Sequence, residues 1–243
     1  MRTDTGTLIR QERIAEGIFQ LDIRTVLAAE AKCGQFVQVE VPGFFLRRPI
    51  SIASRTDDSL TLIYRIQGDG TKALSRLQAG DAVSLFGPLG NGFPVEDRDV
   101  MLIGGGIGVP PLYETAVRYR EKGYAVTAVL GFNDRKSVIL KDAFEELGCR
   151  TAIATMDGSM GTKGTVLDAI RENDIRDTFV LCCGPEPMLK AVSQVYTDGY
   201  VSLEARMACG MGSCMGCVKN TADGGSVRVC SDGPVFRIGE VLL

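Results

Sequence analysis

Four cysteines near the C-terminus, Cys209, Cys214, Cys217 and Cys230, stand in the pattern C-x4-C-x2-C-x12-C, and no other feature constrains the fold of this chain as strongly. They lie within the last forty or so residues, a segment too short to build an apolar core of its own and therefore in need of a staple. Bound metal supplies one when thiolates converge on it. Three of the four fall in MACGMGSCMGC, residues 207–217, where Gly210, Gly212 and Gly216 permit close, partly left-handed backbone around a bulky group. C-x4-C-x2-C…C is the plant-type spacing of a [2Fe-2S] cluster. Structural zinc is the competing reading, although zinc ribbons pair two C-x2-C knuckles and this tail has one.

Composition sets the compartment and excludes several classes of function. Lys and Arg number 27 against 30 Asp and Glu, so there is no polycationic surface and nucleic acid is not expected as a partner. No apolar run reaches the roughly 18 residues that span a bilayer, and MRTDTGTLIRQER lacks a signal-peptide core. A cytoplasmic protein is expected, with no membrane contact. In a reducing compartment the eight cysteines read as metal ligands or buried thiols rather than disulfides. Cys33, Cys149, Cys182 and Cys183 lack ligand spacing and read as small buried hydrophobes. There is no histidine, which removes imidazole acid–base chemistry; no catalytic side chain is assigned.

Three blocks follow one another without repeats. Up to about Pro94, short β-rich runs (IFQLDI, QFVQVEV, LTLIYRI, AVSLFG) punctuated by Gly, Pro and Asp predict a small antiparallel barrel or sandwich. From Val100 to about Tyr200, strand–turn–helix units repeat four times: VMLIGGG with a helix to Lys122, YAVTAVLGF with VILKDAFEEL, RTAIAT with TVLDAIREN, and TFVLCCG with PMLKAVSQVY. That alternation predicts a doubly wound parallel sheet. The fold class is thus multi-domain β plus α/β, with an N-terminal barrel over 1–97, a nucleotide domain over 98–200 and a small cluster domain over 201–243.

Candidate binding residues sit where these elements turn. VMLIGGGIGVPPLYE places Gly104, Gly105, Gly106 and Gly108 between a strand and a helix opened by prolines, where amides can face a pyrophosphate. A tight turn with no ligand reads equally well. CCGPEPM places Cys183, Gly184 and Pro185 at a second strand-to-helix turn, and ligands of such sheets bind at the carboxyl ends of strands. Asp157 in TMDGS suits a ribose hydroxyl, or simply a turn. In the first block, LRRPISI can present a guanidinium and a hydroxyl to a phosphate or a flavin edge, or be an ordinary charged strand end. IYRIQGDGT offers Tyr64 for stacking and Gly70-Thr71 for phosphate, or a plain hairpin.

Taken in order, R-P-x-S, Y-R, G-T, G-G-G-x-G-x-x-P and C-G-P-x-x-M resemble the ferredoxin-NADP reductase superfamily. The tail EARMACGMGSCMGCVKN…RVCSDGPVF is similar to that of the electron-transfer subunits of the NAD-dependent, two-subunit dihydroorotate dehydrogenases. VFRIGEVLL departs from that family's more acidic ending. The resemblance implies FAD on Arg48, Pro49, Ile50 and Ser51, on Ile63, Tyr64 and Arg65, and on Gly70 and Thr71. It implies NAD(H), as a substrate, at Gly104–Gly108 and Cys183–Met188, and the [2Fe-2S] cluster on the four tail cysteines. It further implies an FMN-containing catalytic subunit as partner, two copies of each chain, and a place in pyrimidine biosynthesis.

This order of cofactors has a chemical logic. NADH gives up two electrons together as hydride, an iron–sulfur cluster takes one at a time, and a flavin standing between them does both. Two rival expectations remain at this stage. One is a reductase subunit serving a ferredoxin, transhydrogenase or hydrogenase partner; the other is a zinc-bearing binding module with a vestigial nucleotide fold. GFNDRKS sets Asp134, which repels a 2′-phosphate, beside Arg135 and Lys136, which attract one; NADH is favoured by the resemblance alone.

Overall fold

Strand alternation builds the first unit. The computed structural model describes residues 1–243. Six antiparallel strands, β1 (Arg2–Ala15), β2 (Ile18–Arg24), β3 (Phe36–Val39), β4 (Arg48–Arg55), β5 (Ser59–Arg65) and β6 (Ala82–Leu89), close into a barrel in the order β1-β2-β5-β4-β3-β6. Along β5, Leu60, Leu62 and Tyr64 fill the barrel, while Ile63 points the other way, into the core beneath the following domain. A short helix, α1 (Asp69–Leu74), follows β5 at the barrel mouth.

The second unit alternates as its sequence predicts: β7 (Val100–Gly105), α2 (Pro110–Glu121), β8 (Val126–Phe132), α3 (Lys141–Glu146), β9 (Arg150–Thr155), β10 (Thr162–Lys163), α4 (Val166–Glu172), β11 (Val180–Cys183), α5 (Glu186–Val195) and β12 (Gly199–Ser202). Every residue of β7 is buried, as a strand covered by helices on both faces requires. The sheet runs β10-β9-β8-β7-β11-β12, all parallel. The chain winds outward from β7 to β10, then returns to β11 on the other side, so the topological switch point lies between β7 and β11. Helix α3 is shorter than VILKDAFEEL suggests. Ile139 is drawn into the core and Leu140 turns left-handed at φ 60°, so the helix starts only at Lys141.

The tail forms a hairpin of β13 (Val218–Asn220) and β14 (Ser226–Arg228), then sends β15 (Val235–Arg237) back to pair antiparallel with β12. The anticipated division at 200/201 falls inside β12. Cys217 and Cys230 share one apolar cluster with Phe36 and Leu89 of the barrel and Val180 and Cys182 of the sheet. The tail therefore shares its core with both neighbours rather than possessing one.

Candidate functional site

The four tail cysteines are held as two pairs. Cys209 adjoins Cys214, and Cys217 adjoins Cys230. Backbone amides turn toward the sulfurs: Met211 N and Ser213 N donate to Cys209 Sγ at 3.5 and 3.3 Å, Gly212 N to Cys230 Sγ at 3.2 Å, and Cys230 N to Cys217 Sγ at 3.4 Å. Burial pushes the Cys209 thiol up, but the surrounding amides outweigh it and bring it down to about 6. Burial with the adjoining Cys217 pushes Cys230 up to about 12. No three ligating side chains meet at a single point. Two sulfur pairs with amide donors fit a two-metal cluster, each pair on one iron, better than one tetrahedral zinc. Gly210 and Gly212 take positive φ of 69° and 84°; Gly216 does not, and Met215 at φ 58° makes the left-handed turn in its place.

The two pairs differ in exposure. Cys217 and Cys230 are buried against the barrel, whereas Cys214 is exposed and Cys209 half-buried. Around the outer pair lies an apolar rim of Met211, Met215, Leu46 and the fully exposed Phe45. A cleft of about 310 Å³ joins Phe45, Leu46 and Phe86 to Cys209 and Met211.

On the barrel, Arg48 stacks its guanidinium 5.0 Å from the Phe44 ring centre, bonds the Leu46 carbonyl and lies directly over Gly70, where any side chain would collide with it. Neither Arg48 nor Arg65 is ion-paired to a carboxylate, and the Ser51 hydroxyl has no protein partner. Two guanidiniums without carboxylate partners and a free hydroxyl at the barrel mouth fit an anionic dinucleotide such as FAD. Pro49 is exposed and Ile50 points into the barrel core. The Tyr64 ring is stacked on Phe19 among the barrel residues, at 6.0 Å and 22°, and its buried hydroxyl has no hydrogen-bond partner. Thr71 Oγ1 is engaged in the cap of α1, accepting from Gln67 N and Gly68 N at 2.8 and 3.2 Å.

The two glycine turns meet at the switch point. Gly104 and Cys183 are partners across β7 and β11, and a Cβ on Gly105 would stand 2.6 Å from Met188 Sδ. Gly106, at φ 54°, brings the turn beneath the barrel, and a Cβ there would lie 3.6 Å from Arg65 Nη2. Asp157 lies at the end of β9. Its Oδ1 accepts from Ser159 N and Oγ at 2.9 and 2.7 Å, which holds its carboxyl below the usual range; Oδ2 makes no bond and suits a ribose hydroxyl. Asp134 caps a short turn through Ser137 N at 2.9 Å, while Arg135 and Lys136 stand exposed and unpaired.

Two carboxylates at this site escaped sequence reasoning. Glu204, just past β12, keeps an exposed side chain near Arg65 and Cys183; desolvation by the surrounding protein raises its pKa, and Arg65 opposes the rise. Glu114, on α2, is 1% exposed at the contact between barrel and sheet. An acidic residue within PPLYETA reads as solvent-facing, and only a partner distant in sequence reveals otherwise.

A flavin-binding barrel, a nucleotide sheet open at its switch point and a loop of paired thiols define an iron–sulfur flavoprotein reductase. Residues 204–242 match the iron-sulfur cluster binding domain of dihydroorotate dehydrogenase B, and residues 102–194 match the oxidoreductase NAD-binding domain. The dihydroorotate dehydrogenase B (NAD(+)) electron transfer subunit of Geobacillus sp. (strain WCH70) is 45% identical, and that of Streptococcus pneumoniae (strain ATCC BAA-255 / R6) 43%, each over 100% of both chains. A solved chain of an NADH-dependent reduced ferredoxin-NADP oxidoreductase, studied for flavin-based electron bifurcation, superposes with a TM-score of 0.90 at 30% identity, covering 98% of this chain and 90% of that one. The Amycolatopsis cytochrome P450 reductase GcoB gives a TM-score of 0.71 at 25% identity, over 80% of this chain and 65% of its own. The chain belongs to the family of dihydroorotate dehydrogenase B electron transfer subunits.

Proposed function

We propose that this chain carries electrons between NADH and a dihydroorotate dehydrogenase catalytic subunit, in either direction, through FAD and a [2Fe-2S] cluster. The observation that carries this reading is the split of the thiol pairs: Cys217 and Cys230 face the barrel, and Cys209 and Cys214 face outward within an apolar rim. FAD, when bound, supplies the exchange between paired and single electrons. Arg48, Ser51 and the backbone of Ile63–Arg65 would hold it, together with Gly70 and the main chain of Thr71. Gly104–Gly108, Cys183, Gly184 and Pro185 receive NADH, with Asp157 on a ribose hydroxyl. Positioning, rather than a protein acid or base, is what hydride transfer asks of these residues.

The apolar rim is the docking face for the partner, an FMN-bearing subunit on which dihydroorotate is oxidised, in an assembly of two copies of each chain. The barrel, the sheet through β12 and the tail beyond it serve flavin, nicotinamide and cluster, with β15 tying the last to the second. The setting is cytoplasmic pyrimidine synthesis; no helix is long and apolar enough to cross a membrane.

Co-expression with such a catalytic subunit tests this directly. Dihydroorotate oxidation coupled to NAD+ reduction is expected, and Cys214→Ser is expected to abolish it while NADH reduction of a dye acceptor persists. Unchanged coupling in Cys214→Ser would take the cluster off the electron path. A second reading draws on the likeness to the ferredoxin-NADP oxidoreductase chain: the acceptor is then a ferredoxin, transhydrogenase or hydrogenase partner. The protein that co-purifies separates the two.

A further inference from the structure

Glu114 is a buried carboxylate that neither cofactor is assigned to. Its two oxygens have separate duties. Oε1 accepts from Arg118 Nε at 2.8 Å and from Arg118 Nη2, within its own helix. Oε2 faces the barrel, accepting from Ser54 Oγ at 3.3 Å and from Arg55 N at 3.2 Å. The β4–β5 register slips between Ile52 and Ser54, where an irregularity in the ladder opens the strand end to a partner from outside the barrel. One carboxylate is thereby bonded across the domain contact.

Its place in the chain gives that contact a consequence. Strand β4 opens at Arg48–Ser51 and ends at Arg55; helix α2 follows directly on the Gly104–Gly108 turn and carries Glu114 one turn in. We propose that Glu114 is a positioning residue that sets the spacing between the flavin segment and the nicotinamide turn, by clamping the strand that carries one to the helix that carries the other. This rests on the assignment of those two segments made above.

A second observation shows that the clamp has travel left in it. Arg55 Nε is buried without a hydrogen-bond acceptor and stands 3.8 Å from Glu114 Oε1. An approach of less than about an ångström completes that bond. A buried donor left unmatched carries a free-energy cost, so domain closure over bound nucleotide is favoured by the same contact that aligns it. The barrel end of Arg55 is anchored meanwhile by its Nη1 bond to Ala28 O at 3.2 Å.

The test compares wild type, Glu114→Ala, Glu114→Gln and a Ser54→Ala/Arg55→Met double variant as the flavin- and cluster-loaded protein. The readout is the long-wavelength charge-transfer absorption that arises when nicotinamide stacks on flavin, followed alongside kcat and KM for NADH with a dye acceptor. Wild type must first bind flavin and show that band, and its failure to do so would overturn the assignment of the segments rather than the clamp. Given the band, Glu114→Ala is expected to lose most of it, and kcat/KM to fall by about 10- to 100-fold, with flavin and cluster content unchanged. Glu114→Gln keeps an acceptor and is expected to recover part of both. Should Glu114→Ala fail to fold, the double variant decides: it keeps the Arg55 N bond to Oε2 and the helix-internal pair with Arg118, and by removing the Ser54 hydroxyl and the Arg55 guanidinium it is expected to lower the band and kcat/KM part of the way. A full-strength band and wild-type kinetics in whichever of these two variants folds overturns the proposal.

Discussion

Asn91 is paired to Val235 as a neighbouring strand would be: its Nδ2 donates to Val235 O at 3.1 Å, and its Oδ1 accepts from Val235 N at 3.1 Å. Nδ2 also donates to Asp232 O at 2.9 Å, and the Asn91 amide to Gly233 O at 2.8 Å. One barrel side chain thus fastens the loop between Cys230 and β15. Asn91 is itself exposed, so water replaces part of what is lost, and Asn91→Ala is expected to cost about 0.5–1.5 kcal/mol. It should appear as a lower melting temperature and as faster bleaching of the cluster absorption by a chelator. Asn91→Asp keeps the acceptor but sets a carboxylate oxygen against the Asp232 and Val235 carbonyls, and is expected to cost at least as much as Asn91→Ala.

The contact between the two nicotinamide turns leaves no room for a methyl group. A Cβ on Gly108 would stand 2.6 Å from Gly184 Cα and meet the Cys183 carbonyl, backbone atoms that cannot rotate aside. Overpacking of this kind costs about 1–3 kcal/mol. Gly108→Ala is expected to raise KM for NADH by about tenfold or more, with flavin content unchanged. Steady-state kinetics with a dye acceptor and a flavin spectrum check both halves of the statement.

How much of this was legible in the sequence follows from the range of the interactions. Cysteine spacing, the barrel's β-rich runs and the βα alternation are local patterns, and the four candidate ligands, the parallel sheet and both glycine turns could be read from them. What escaped was long-range. Strand β15 is three residues long and forms only because β12 offers it an edge. Glu114 and Asn91 act on partners 60 and 144 residues away. Tyr64 read as a stacking platform, yet strand alternation sets it beside Leu60 and Leu62 on the interior face, against Phe19. Asp134 read as a charge for repelling phosphate and serves as a turn cap.

Phe45 tests the docking face. It is fully exposed beside the Cys209 cleft, so no folding energy depends on it. A large aromatic side chain in the centre of an interface commonly carries 2 kcal/mol or more of the binding, by the general behaviour of hot spots. Phe45→Ser is expected to weaken assembly with the catalytic subunit by about 10- to 100-fold. Melting temperature and dye reduction by NADH should stay at wild-type values. Titration of the loaded chain into the catalytic subunit, followed by calorimetry, measures the first; unchanged affinity would move the interface elsewhere.

Glu204 gives a pH dependence whose direction follows from its surroundings. Desolvation by the surrounding protein raises its pKa above the ordinary 4.5, and the Arg65 guanidinium recovers only part of that shift. The Cys183 thiol, pushed up to about 12 chiefly by burial, stays protonated and contributes no charge at neutral pH. A carboxyl with a higher pKa folded than unfolded binds more protons when folded, so stability falls as pH rises through that interval. The penalty is absent below 4.5, where both states are protonated, and complete above the folded value. Glutamine carries no charge to desolvate. Because the side chain is exposed, the effect is small: flavin-free Glu204→Gln is expected to melt slightly above wild type near neutral pH, with the gap narrowing as pH falls. Thermal melts of both chains across a pH series measure it. A wild type that is the more stable at neutrality would mean that attraction to Arg65 outweighs desolvation, which places the two groups in closer contact than the cleft now shows.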